Sequence, residues 1–497
     1  MERNKAEGLV IRRWFRSSRL AGLVVLFCLL LGVEFALASL SEAAVRKAPY
    51  LIYRGANTEM QILWQLSASQ VCTIEWGADQ SYSLGSVQTN EYGLDHQHTY
   101  TIPNLLPGTM CYYRVTAGAE QYAGAFRAAP PGAAVKVKFL AYGDTRSYPA
   151  DHDRVAARIV AHYTADPDLQ TFILSVADLV YNGDLETDWD NQFFSSLYPN
   201  IRTMLAGLPY QSAMGNHERT GVGFMKYFPY PYVAGRYWSF DYGPTHFAVV
   251  DQYTPYSTGT DQLVWLENDL ASTTKPWKFV CLHEPGWSAG GGHGNNTSVQ
   301  TYIQPLCQAY DVAAVFGGHN HYYARASVNG VEHVTAGGGG APLHTPNLTY
   351  PYVVTGTSAY SHCEVAIDGG YLTLRAYTHA DSLIDSLAIS LPGAGVTGVV
   401  GHEVRPGLDL VSASANPVEG ETVFWFSIPV AARAELAVYG IGGQKVRTLV
   451  DEQVGGGSHR AAWDGEDESG RRVPPGMYFI HLRAAGGGVA KKIVVTE

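Results

Sequence analysis

Apolar and polar positions alternate, with β-branched and aromatic enrichment, over Gln61–Trp64, Cys72–Trp76 and Tyr112–Val115. Leu106-Pro107-Gly108-Thr109 reads as a turn between strands. This predicts a small all-β sandwich over residues 45–128. From about residue 135 the period changes. Val135–Tyr142 reads as a strand ending in Gly143-Asp144, and Val155, Ile159, Val160 and Tyr163 then recur at helical spacing. Thr171–Ala177 is a second strand ending at Asp178, and Tyr210–Met214 a third ending at Gly215-Asn216-His217-Glu218. Thr245–Asp251 follows, then a helix marked by Leu263, Leu266 and Leu270. Trp277–Leu282 ends at His283, and Val312–Phe316 at Gly317-Gly318-His319. Repeated strand–helix units predict α/β layering, completed into a two-sheet core by strands near Val331–Thr335, His362–Ile367 and Tyr371–Tyr377. Residues 392–407 are rich in Gly and Val and read as a linker. Residues 408–497 return to strand patterning at Val423–Ile428, Leu436–Tyr439 and Tyr478–Leu482. The expected fold class is multidomain: a central α/β sandwich of two mixed sheets flanked by helices, residues 135–391, between two all-β sandwich modules.

Composition narrows the picture. A chain of 497 residues with 46 % hydrophobic and 16 % charged content can bury sizeable cores and is not a disordered polymer. Arg12, Arg13, Arg16 and Arg19 precede an apolar run from Leu20 to Val33, and Ala36-Leu37-Ala38 offers a small-residue cleavage site. Residues 1–38 therefore read as a secretory signal peptide, with an uncleaved membrane anchor as the alternative. The expected location is extracellular, cell-surface or periplasmic. That segment holds six Lys/Arg and three Asp/Glu, so its removal takes the net charge from −11 to −14. Such a surface repels phosphate backbones and argues against a nucleic-acid duplex as partner. Of the six cysteines, Cys72, Cys111, Cys281, Cys307 and Cys363 lie beyond the segment, an odd number without CxxC spacing. Neither a zinc ribbon nor a redox motif is indicated; Cys72 and Cys111 are either a disulfide or buried thiols.

The polar residues of the central segment fall where layered folds collect ligands, just past the carboxyl ends of strands. In order they are Asp144, Asp178 with Tyr181, Asn216-His217, His283, and His319 with His321. Each has an ordinary explanation by itself. Asp144 is a candidate helix cap, His283 a core histidine, Tyr181 one of 32 tyrosines, and His319/His321 a buried pair. The ordered combination of imidazole and oxygen donors suits iron, zinc or manganese better than magnesium or calcium. Two ions about 3.5–4 Å apart, bridged by a carboxylate, clamp both oxygens of an in-line displacement.

Gly143-Asp144, the run Ala177 to Asp184 (ADLVYNGD), GNHE at 215–218, LHEP at 282–285 and GGHNHYYAR at 317–325 resemble the five-block signature of calcineurin-like metallophosphoesterases. Most members begin with Asp-x-His; here Arg146 stands at the histidine position. Tyr181 follows Asp178 by three, a joint pattern similar to purple acid phosphatases, where a tyrosinate replaces that histidine on a ferric ion. Ala177 departs from the usual glycine. The resemblance implies a first, Fe(III) site of Asp144, Asp178, Tyr181 and His321. It implies a second site for a divalent ion (Zn, Mn or Fe) of Asp178, Asn216, His283 and His319, with Asp178 bridging. It implies a secreted binuclear-metal phosphatase that hydrolyses phosphate monoesters by attack of a metal-bound hydroxide on a small phosphorylated substrate.

His217 is the candidate for contacting phosphate or protonating the leaving group, against a role that only orients neighbours. His293, in the Gly290–Gly294 loop, resembles a substrate-side histidine of the plant-type enzymes, against an exposed loop histidine. Arg146 meets phosphate bidentately or forms a surface salt bridge. The flanking modules resemble a fibronectin type III-like domain and the Ig-like C-terminal sorting-type modules of exported bacterial proteins, a candidate contact to export machinery or the cell surface. The alternatives are a phosphodiesterase acting on nucleotides or lipid head groups, and a surface binding protein with a degenerate esterase domain.

Overall fold

The structure is a computed structural model that describes residues 43–391, 409–412, 422–428, 431–455, 457–484 and 487–496. The expected signal segment and linker lie outside the described residues. Seven strands come first: Val45–Ile52 (β1), Met60–Leu66 (β2), Cys72–Gly77 (β3), Gly85–Thr89 (β4), Gln97–Ile102 (β5), Met110–Ala117 (β6) and Glu120–Arg127 (β7). They form a three-stranded sheet, β1-β2-β5, and a four-stranded sheet, β4-β3-β6-β7, all antiparallel. β6 alternates strictly between half-buried and buried positions, as a one-sided strand must. Cys72 and Cys111 are buried free thiols, as are Cys281, Cys307 and Cys363.

The central strands are Lys136–Tyr142 (β8), Ile173–Ser175 (β9), Tyr210–Ser212 (β10), Trp238–Tyr242 (β11), Thr245–Val249 (β12), Trp277–Cys281 (β13), Val312–Gly317 (β14), Tyr323–Val328 (β15), Val331–Ala336 (β16), Val353–Thr357 (β17), Ser361–Asp368 (β18), Tyr371–Thr378 (β19) and Leu383–Ser390 (β20). They make two mixed sheets, ordered β10-β9-β8-β18-β19-β20 and β11-β12-β13-β14-β16-β15-β17. β8, β9 and β10 run parallel, as do β12, β13, β14 and β16; the remaining pairs are antiparallel. The helices Pro149–Ala165, Pro199–Gly207 and Asp261–Ser272 connect the parallel strands.

An aromatic seam joins the sheets. Phe139 of β8 touches Phe172, Phe247, Phe279 and Phe316 at centroid distances of 5.4, 5.1, 5.4 and 6.0 Å. All five are buried, and rings of this size dominate the burial term that fixes the layers. The opposite face of β8 meets the Pro149–Ala165 helix, where the Tyr142 hydroxyl lies 2.9 Å from His152 Nε2.

The first sheets pack on this core through polar contacts as well as apolar ones. The Gln211 side chain pairs with the backbone of Tyr53 at 3.0 and 2.7 Å, and the Tyr113 hydroxyl donates to the Ala206 carbonyl at 3.0 Å. At the other end of the chain, strands form a three-stranded and a four-stranded antiparallel sheet with their own core, including Phe424, Leu436, Trp463 and Ile480. No helix among the described residues is long and apolar enough to cross a membrane.

β9 and β10 are shorter than their sequence patterns suggest, ending at Ser175 and Ser212. Past β9 the backbone leaves extended geometry, with φ of 78° and 53° at Ala177 and Asp178. Those turns deliver the site.

Candidate metal centre

Three of the turns that carry the polar residues use uncommon backbone. Asp144, Asp178 and His319 all have positive φ (54°, 53° and 66°), an arrangement L-residues adopt only where surroundings enforce it. The enforcement is visible. The Asp144 N–H donates to the Ala177 carbonyl at 2.8 Å, and its carboxylate accepts from the His319 N–H at 3.0 and 3.1 Å. Two glycines make room. A Cβ on Gly318 would lie 2.2 Å from an Asp144 carboxylate oxygen, and one on Gly215 would lie 2.2 Å from an Asp178 oxygen. Glu218, fully buried, accepts the N–H groups of Asp178, Leu179 and Gly215 at 3.2, 2.7 and 2.8 Å. It ties the second and third blocks together. Burial, then the charge of Asp178, raise its pKa.

Six of the sequence candidates converge. His283 Nε2 lies 3.1 Å from Asn216 Oδ1, 3.4 Å from Asp178 Oδ1 and 3.2 Å from His319 Nδ1. His321 Nε2 lies 3.7 Å from Asp144 Oδ1. Asp144, Asp178 and His283 alone bring three donor atoms within 4.8 Å of one another. The tautomers follow from the partners. His283 Nδ1 donates to the Val176 carbonyl at 2.8 Å, and His321 Nδ1 to the Pro342 carbonyl at 2.7 Å. A carbonyl can only accept, so Nδ1 carries a proton in both rings and each Nε2 faces inward, as in metal-ligating histidines. Around His283 this places a ring nitrogen against a carboxylate oxygen and an amide oxygen. Such a set of acceptors is mutually repulsive unless a cation or proton joins it.

The charges divide accordingly. Burial works against a charged His283, but Asp178 outweighs it and pushes the pKa up to about 10. Burial and the neighbouring His283 push His319 down to about 2, and burial with His344 pushes His321 down to about 3. Asp144 is raised by burial, while Asp178 is lowered because the nearby His283 and His217 outweigh its burial. Perturbations of opposite sign packed into one cleft are typical of functional clusters.

The donor set Asp178, Asn216, His283 and His319 fits a divalent ion as arranged, by donor type and by convergence. In the other set, the cation that Asp178 and His321 face is the guanidinium of Arg146, whose side chain is only 11 % exposed. Its Nε lies 3.3 Å from Asp178 Oδ2 and its Nη2 3.2 Å from His321 Nε2. Arg146 is thus inside the site rather than in a surface salt bridge. Tyr181 is placed apart from the six: it is 54 % exposed, with its ring 5.4 Å from that of His217. His217 donates through Nδ1 to the Tyr181 carbonyl at 2.5 Å, and its Nε2 lies 3.9 Å from Asp178 Oδ2. His293 is exposed on the rim, stacked on His319 at 3.8 Å.

Sequence reasoning missed two participants. His344, half-buried, stacks on His321 at 4.0 Å and accepts its backbone N–H through Nδ1 at 3.2 Å. Asn320, buried, ties the His293 backbone by accepting its N–H at 2.8 Å. The Gly-rich run 337–340 before His344, of which Gly339 and Gly340 press on the Gly143 and Thr145 backbone, was the available signal for the first.

Residues 137–323 match the family model described as calcineurin-like phosphoesterase. The central segment is similar to that family. Residues 414–488 match the model of the FlgD Ig-like domain. Among curated proteins, the chain is 27 % identical over 272 residues to "Purple acid phosphatase 21" of Arabidopsis thaliana, covering 49 % of this chain and 58 % of that one. It is 29 % identical over 217 residues to "Probable inactive purple acid phosphatase 24" of the same plant, covering 34 % of each. The chain thus spans between about a third and 58 % of the length of these relatives. A purple acid phosphatase from yellow lupin (Lupinus luteus) seeds shares the fold, with a TM-score of 0.59 and 20 % identity over 69 % of this chain and 74 % of that one. The matched segment contains every residue of the converging set, from Asp144 to His321.

Proposed function

We propose that the chain is a metal-dependent phosphoesterase of the purple acid phosphatase type that hydrolyses phosphate monoesters after export from the cell. The observation that carries this is the convergence of Asp144, Asp178, Asn216, His283, His319 and His321 at the carboxyl ends of strands from both sheets, with the Nε2 atoms of His283 and His321 turned inward. In this reading Asp178 is shared. Asp144 and His321 belong to a ferric-type site, to which Tyr181 would turn its now exposed ring; Asn216, His283 and His319 complete a site for zinc, manganese or iron. Such a pair of ions activates water and neutralises phosphoryl charge.

The chain's own groups then orient and protonate. The Arg146 guanidinium, held at the site floor by Asp178, offers N–H donors matched to two phosphate oxygens. His217, with Nδ1 pinned to the Tyr181 carbonyl, presents Nε2 toward the site and supplies the proton for the leaving alkoxide. His293, exposed above His319, contacts the substrate's organic part. The fibronectin type III-like N-terminal module frames the domain, and the Ig-like C-terminal module contacts export machinery or the cell surface.

Arg146 at the first donor set and the outward Tyr181 favour a second reading, a domain that binds phosphorylated ligands without turnover. Metal analysis joined to hydrolysis of a chromogenic phosphate monoester and its diester separates the two. The proposal expects bound metal, monoester turnover, and loss of both in Asp178→Ala. A metal-loaded wild type inert toward both esters leaves the binding reading.

A further inference from the structure

The described residues contain a second convergence of metal-type donors, on the helix-covered face of the first sheet. His362 and Glu364 are two apart on β18, so both side chains leave the sheet on the same side. Glu364 pairs with Leu140 and Cys363 with Ala141 of β8. The Phe139/Ala141 side of β8 is the inter-sheet seam, so Glu364 and His362 face the Pro149–Ala165 helix instead. His162, in the last turn of that helix, meets them. His362 Nε2 lies 3.2 Å from His162 Nδ1 and 3.9 Å from Glu364 Oε1, and His162 Nδ1 contacts Glu364 Oε1 directly. One donor atom from each residue lies within 4.8 Å of the others. Ligands 2.0–2.1 Å from a tetrahedral ion sit about 3.3 Å from one another, so the two separations to His362 Nε2 bracket that spacing while Glu364 must draw back from His162 to admit an ion.

The surroundings complete the pattern. His162 Nε2 lies 2.8 Å from Asp381 Oδ1. A carboxylate on one imidazole nitrogen holds the other as a lone pair aimed at the shared point, the usual support for a metal-bound histidine. His162 and His362 are buried, the Glu364 side chain is 13 % exposed, and Asp381 reaches solvent, which leaves a path for an ion. His246 provides an internal contrast. It lies between Asp241 and Asp269, 2.8 Å from each, a carboxylate–imidazole–carboxylate triad that a proton alone satisfies. No second histidine is part of that triad, whereas at His162 the nitrogen of His362 converges on the same point as the carboxylate.

We propose that His162, His362 and Glu364 form a site for a divalent transition ion of the zinc type, separate from the phosphoesterase centre, with Asp381 orienting His162. The ion links the helix to β18, and so to the strand beside β8.

The test uses the full chain carrying Asp178→Ala, which disables the shared ligand of the phosphoesterase centre, and zinc or cobalt as the probe. After equilibration with Zn²⁺ and removal of free metal, this chain should retain about one ion more than the same chain with His362→Gln. Zn²⁺ should raise its melting temperature, and His362→Gln should abolish the rise. Asp381→Asn should weaken binding about 10- to 100-fold. Cobalt in the Asp178→Ala chain should give visible absorption of a low-symmetry nitrogen/oxygen site, a measurement that needs no further variant. Equal metal content with and without His362→Gln, or absence of the cobalt bands, would overturn the proposal and leave a proton-bridged triad.

Discussion

Glu218 is the most exacting test of how the centre is assembled, because it touches no substrate and yet holds two blocks in place. Its Oε1 accepts the Leu179 N–H, and its Oε2 accepts those of Asp178 and Gly215. In Glu218→Gln one oxygen becomes an NH₂ donor. The cheaper orientation keeps the oxygen on the two-donor side and leaves the Leu179 N–H buried without an acceptor. A buried unsatisfied N–H costs about 1–3 kcal/mol. For a domain of this size each kcal/mol moves the melting temperature by about 2–4 °C, so Glu218→Gln should melt about 2–12 °C lower. Glu218→Ala leaves three such donors and should cost at least about 3 kcal/mol. Calorimetry or circular dichroism reads the melting shift, and metal analysis reads the site. Both variants should also hold less metal, since the Asp178 turn loses its support at φ 53°. If Glu218→Ala melted within about 2 °C of wild type with unchanged metal content, the argument that this carboxylate organises the centre would be refuted.

Other expectations follow from particular residues. His217→Ala should keep its metal and lose about 10²–10⁴ in kcat, less for esters with good leaving groups; parallel loss of metal would make the residue structural. Iron-loaded wild type should absorb in the visible through phenolate-to-iron charge transfer, and Tyr181→Phe should bleach it. A colourless, fully active zinc or manganese enzyme would remove the purple acid subtype. Burial opposes a charged His246, but Asp241 and Asp269 prevail and push its pKa up to about 9. Its stabilisation, about 3 kcal/mol from that shift, is therefore complete below about pH 6.5 and lost as pH rises through 9. Denaturant unfolding across that window should show the loss, and His246→Gln should flatten it.

Much of the architecture is legible along the chain because it rests on local periodicity. The change from period two to helical spacing near residue 135 is written in Val155, Ile159 and Tyr163, all buried on one helix face. The donor residues are legible for a related reason. Each stands just past an apolar strand, and parallel strands deliver their carboxyl ends to a common edge whatever the loop details. β11, β15, β17 and β20 were harder to see. β15, for instance, is buried at five of six positions although its sequence carries Arg325 and Ser327, so its burial on both faces is not announced by an apolar run.

What the chain alone left open depends on where backbones cross. Arg146 occupies the place where a histidine would be expected, but only the packed structure puts its guanidinium against Asp178 and His321. Tyr181 lies three residues from Asp178 on any reading. Only the packed structure shows its ring 54 % exposed beside that of His217. His162 and Glu364 are 202 residues apart and carry no shared motif. Their meeting was decided by the helix that covers β18, since side-chain partnerships across a sheet face arise from tertiary packing, whereas which residues share a face is already encoded in the alternation of the strand.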